Sequence, residues 1–86
     1  MSLPDQNLQQ TWAEVTGQLR RDLRPETYDR WIGMIRPVSL QSGLLQLGVP
    51  NNFYQTWLEE NYLRLIVDGL ARAGIPDVRI QFLVLD

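Results

Sequence analysis

The 86-residue sequence predicts a small α+β domain whose elements run α-α-β-β-α-β, with helices covering one face of a three-stranded sheet. Changes of hydrophobic period carry that reading. Apolar residues recur at helical spacing as far as Ile35, alternate through Leu45, Leu47 and Val49, return to helical spacing after Pro50 and alternate again from Val78.

Residues 1–8 read as a loose lead-in, holding Pro4 and Asn7 without periodicity. Leu8, Trp12, Val15, Leu19 and Leu23 then mark one face of an amphipathic first helix, which Gly17 weakens slightly. Arg24 stands before Pro25 and is pushed out of the α region, so the helix ends there. Pro25 suits the first position of a second helix, "PETYDRWIGM", with Glu26 near its positive end. Its stripe of Tyr28, Trp31, Ile32 and Ile35 leaves Glu26, Thr27 and Arg30 outside, and Gly33 helps it stop. "QSG" is a turn signal between "VSL" and "LLQLGV", which predicts a hairpin with Pro37 at a strand start or an edge. Asn51 is the natural cap of a long helix running to about Ala73, with Gly74 closing it in the left-handed region. In "DVRIQFLVLD", Val78, Ile80, Phe82 and Val84 face inward and Arg79, Gln81, Leu83 and Leu85 outward, a third strand. If that strand runs parallel to the second, the crossover between them is right-handed.

Composition narrows the chemistry. With neither cysteine nor histidine, disulfides, thiolate metal sites and the commonest general base are all excluded. The chain expects no cofactor and no metal. A single domain of this size buries only about 60% of its unfolded surface, which disfavours a deep substrate cavity. Carboxylate pairs such as Glu59 and Glu60 splay around a helix rather than converge, so the domain is not expected to be an enzyme. All eight basic residues are arginine, set against ten carboxylates for a net charge of −2, whereas a protein living on phosphate contacts carries a basic excess. Arg20, Arg21 and Arg24 form the densest basic group, and Asp22 and Glu26 lie among them. No apolar run is long enough to span a bilayer, and the N-terminus lacks the regions of a signal peptide. A cytoplasmic, membrane-free protein is expected.

One residue breaks the helical pattern. At about 100° per residue, Tyr54, Leu58, Tyr62, Leu65, Ile66 and Gly69 cluster on one side of the long helix, and Phe53 falls about 140° from Leu58. Either the buried face is unusually wide or Phe53 is exposed for a partner. Asn51, Asn52 and the outer side of the second helix would give such an anchor a polar rim.

Trp12, "YDRWI", "LQLGVPNNF", "WLEENYLRLI" and "VRIQF", in that order and spacing, resemble the N-terminal domain (domain I) of the bacterial replication initiator DnaA. The resemblance runs from Trp12 to Val84. It implies a KH-like α+β fold spanning residues 1–86, used for protein–protein interaction. The implied partners are the replicative helicase DnaB, species-specific initiation regulators and other DnaA protomers at the origin. It maps a partner surface onto Phe53, Asn51, Glu26, Thr27 and Arg30. Thr27 stands where some members with helicase contacts carry an acid, and Glu26 is adjacent. Trp12 matches an aromatic tied to self-association in some members, although its helical angle puts it near the middle of an apolar stripe. "GxxxxGK[ST]" occurs nowhere, so the family's ATPase module is not in this sequence. The rival reading is a weak single-stranded nucleic-acid module. It lacks the GXXG loop of KH domains, because Gly43 and Gly48 are too far apart.

Overall fold

A computed structural model describes residues 4–75 and 77–85. The order of helices and strands is the expected one, with differences at the first helix's start, in the second helix and in the middle of the long one. Strands β1 (Arg36–Gln41) and β2 (Leu44–Val49) pair antiparallel around a two-residue turn, Ser42 and Gly43, both at positive φ. That backbone twist matches the twist of the flanking strands, and glycine adopts it without a Cβ penalty. Pro37 sits on β1, an edge strand, and the ladder shifts register between Pro37 and Ser39, leaving Val38 40% exposed. Strand β3 (Arg79–Val84) lies parallel to β2, so the sheet order is β1-β2-β3.

The two faces of the sheet differ as the alternation requires. Leu45, Leu47, Val49 and Phe82 are buried toward the helices. On the other face a polar ladder crosses all three strands: Ser39 Oγ donates to Gln46 Oε1 at 2.7 Å, and Gln46 Nε2 to Gln81 Oε1 at 2.8 Å. Val84, expected inside, is 40% exposed at the last position of its strand.

Helix α1 (Pro4–Asp22) starts earlier than the expected lead-in allows, and residues 1–3 of that lead-in lie outside the described residues. Proline suits the first turn of a helix because its missing N–H would have no partner there. The face of Leu8, Trp12, Val15 and Leu19 is buried. Helix α2 (Pro25–Thr27) passes directly into a π turn (Tyr28–Ile32), closed by the Gly33 N–H on the Tyr28 carbonyl at 2.8 Å. Tyr28 and Ile32 are buried as expected, but Trp31 is only half-buried. The wider π turn takes it off the stripe that α-helical spacing assigns.

The long helix is two helices, α3 (Asn52–Asn61) and α4 (Leu63–Arg72), divided at Tyr62 with φ −124° and ψ −4°. Asn61 stands just before it. Its Nδ2 donates to the Trp57 carbonyl at 3.0 Å on the last turn before the break. Backbone bonds from Tyr62 to Leu58 (2.9 Å) and Ile66 to Tyr62 (3.0 Å) bridge the break, so the chain bends without terminating. α4 closes as expected at Gly74, at φ 91°, with Ile75 N–H reaching Leu70 O and Gly74 N–H reaching Ala71 O. α4 also lies close on α1: a Cβ at Gly69 would stand 3.1 Å from Val15 Cγ1.

Candidate functional site

The site begins with the cap of α3. Asn51 Oδ1 accepts the Tyr54 backbone N–H at 3.0 Å, satisfying an orphan donor of the first turn. That contact sets the phase of the helix. Leu58 turns fully into the core and Tyr54 reaches half-way, while Phe53 and Trp57, four residues apart, share the outward face. Phe53 is 63% exposed and Trp57 37%. The half-buried face is thus no wider than expected, and Phe53 lies outside it.

Phe53 is not isolated. Trp31, turned outward by the π turn, lies 5.9 Å from Phe53, 5.1 Å from Tyr54 and 5.1 Å from Trp57 between ring centroids. Trp31 and Trp57 stack at 21°, and Phe53 lies nearly parallel to Trp57 at 26° and 6.4 Å. Such pairs contribute about 0.5–1.5 kcal/mol each beyond burial, which holds the rings in a fixed array. Glu26, Thr27 and Arg30 meet Trp31 around a shallow hollow of about 150 Å³. Trp31 therefore links Phe53 to Glu26, Thr27 and Arg30, and Asn51 caps the helix turn that carries Phe53, with Trp31 and Trp57 as members that sequence reasoning missed. The spacing of Phe53 and Trp57 is the signal that identifies the second of these.

The rim keeps its charges free for solvent. Glu26 and Arg30 are both exposed, and the one ion pair among the described residues, Arg72 to Asp22 at 3.7 Å, lies elsewhere. Trp12 is also elsewhere, 7% exposed within the core. Of the arginine group, Arg20 lies over the Tyr28 ring at 4.7 Å, and the Tyr28 side chain holds its pKa above the ordinary value. A hollow of about 630 Å³ between α1 and α4 contains none of the expected site residues. Among the described residues no group of three or more His, Cys, Asp or Glu side chains gathers as a metal site would, and no helix is long and apolar enough to cross a membrane.

Fold and surface together define a small α+β domain that carries an ordered, solvent-facing aromatic array on its helical side. Residues 9–71 match the model of the DnaA N-terminal domain, and the chain belongs to that family. It is similar to the chromosomal replication initiator protein DnaA of Deinococcus radiodurans, 32% identical over 77 residues, which cover 90% of this chain and 16% of that protein. The DnaA of Deinococcus deserti is 35% identical over 77 residues, 90% of this chain and 17% of that protein. That of Thermus thermophilus is 30% identical over 74 residues, 86% of this chain and 17% of that protein. The chain thus spans about a sixth of the length of these relatives.

Proposed function

We propose that this domain is a non-enzymatic protein-interaction module of a replication initiator. It recruits the replicative helicase DnaB and initiation regulators through the aromatic array, and it assists association between initiator protomers. The observation that carries this reading is Phe53, a large apolar side chain 63% exposed yet held against Trp31 and stacked on Trp57. Aromatic residues with a polar rim are what an interface core is built from, and the energy of small interfaces concentrates in a few of them. Membership of the DnaA N-terminal domain family and similarity to replication initiators support the choice of partners.

Stacked aromatics also suit single-stranded bases, which is the specific observation that favours the rival reading. One pair of measurements separates the two. Phe53→Ala is expected to leave thermal unfolding within about 1 kcal/mol while weakening helicase binding by about 2 kcal/mol or more. Tyr54→Ala, half-buried against the core, loses stability first. Loss of oligonucleotide binding with a steep salt dependence, and unchanged helicase binding, overturns the proposal in favour of the nucleic-acid reading.

A further inference from the structure

A second concave surface lies beyond the aromatic array and shares no residue with it. The break at Tyr62 sets the end of α3 and the start of α4 around a groove of about 550 Å³. Its apolar lining is Leu63, half-buried, and Val67, 36% exposed. Around these stand Glu59, Glu60 and Asp68, opposed by Arg64 alone. All four charged side chains are exposed, and among the described residues none of them forms an ion pair.

That combination selects its occupant by charge. Leu63 and Val67, one turn apart on α4, offer an apolar strip to a segment laid along the helix. Three carboxylates against one guanidinium, in a chain whose net charge is already −2, attract a cationic partner and repel an acidic one. We infer that the groove at the α3–α4 bend docks a basic amphipathic segment of a partner protein, with apolar residues on Leu63 and Val67 and lysines or arginines facing Glu59, Glu60 and Asp68. An acidic or purely polar segment does not fit, and neither does nucleic acid, whose phosphates would meet the same carboxylates. The aromatic array can fail as a helicase site without affecting this inference, and the converse also holds.

The probe is a synthetic helical peptide of about 18 residues with leucine on one face and lysine on the other, titrated into the isotope-labelled 86-residue chain. Backbone amide shifts are expected to concentrate between Glu59 and Asp68. The charge reversals Glu60→Lys and Asp68→Lys together should weaken binding about tenfold or more, because the contact is between opposite charges. Val67→Ser should weaken it about fivefold, by removing the exposed part of the apolar floor. Phe53→Ala should leave the affinity within about twofold, since that residue is outside the groove. Unfolding curves of each variant show whether the fold is intact. A matched peptide with serine replacing leucine distinguishes docking from bare charge attraction. Equal affinity of the two peptides, shifts spread over every carboxylate, or shifts centred on Phe53 and Trp57 would each overturn the inference.

Discussion

Two glycines show how the same substitution can have opposite signs. Gly17 lies on the exposed side of α1 with nothing within 4 Å of the place a Cβ would take, so Gly17→Ala is expected to raise stability by about 0.5–1 kcal/mol through helix propensity. Gly69 is buried where α4 meets α1, and its new methyl would press on Val15, which is fully buried and has nowhere to retreat. Gly69→Ala should therefore cost about 1–3 kcal/mol, the range for overpacking. Urea denaturation of the two variants checks both signs. Trp12 belongs to the same scale. At 7% exposure it fills core volume, and Trp12→Ala is expected to destabilise the fold by about 3–5 kcal/mol. Lost self-association with an unchanged melting temperature would show instead that the side chain serves a partner.

At the scale of elements, the cap at Asn51 and the π turn at Tyr28–Ile32 do complementary jobs: one phases α3 so that Phe53 and Trp57 face out, the other brings Trp31 under them. Asn51→Ala should lower stability by about 1 kcal/mol and loosen the first turn, whereas Asn51→Asp, which keeps an acceptor, should lose little. Chemical denaturation gives the energies, and amide exchange at Tyr54 reports the turn. Periodicity made the strands, the hairpin turn, the cap and the exposure of Phe53 legible in the sequence, because each follows from the direction of one side chain or one special φ. It could not show Trp31 or the bend at Tyr62. The first depends on a backbone bond from Gly33 to Tyr28 that leaves the 3.6-residue ladder, and the second on the non-helical backbone angles of Tyr62 alone. A count at fixed spacing passes over such departures. Pro4 opens α1 rather than a loop, and the count misses it for a related reason: a proline without periodic neighbours resembles a loop, although it is also a good helix opener.

At the scale of the whole molecule, the family match covers residues 9–71, yet the sheet is completed only by β3 at Arg79–Val84. β2 is the central strand, paired on one side by β1 and on the other by β3, and Phe82 of β3 is 5% exposed in the core. A chain cut after Ala71 would lose that strand and the Gly74 closure of α4 together. It should fail to show cooperative unfolding, and light scattering should find more aggregate than for the 86-residue chain. A monodisperse, cooperatively melting fragment would contradict this. The parallel pairing of β2 with β3 also has a consequence for the order of events on a ribosome. Until Arg79–Val84 emerge, β2 presents a bare row of amides and carbonyls beside Leu45 and Leu47, so the nascent domain passes through a stage at which its own central strand is its most adhesive part.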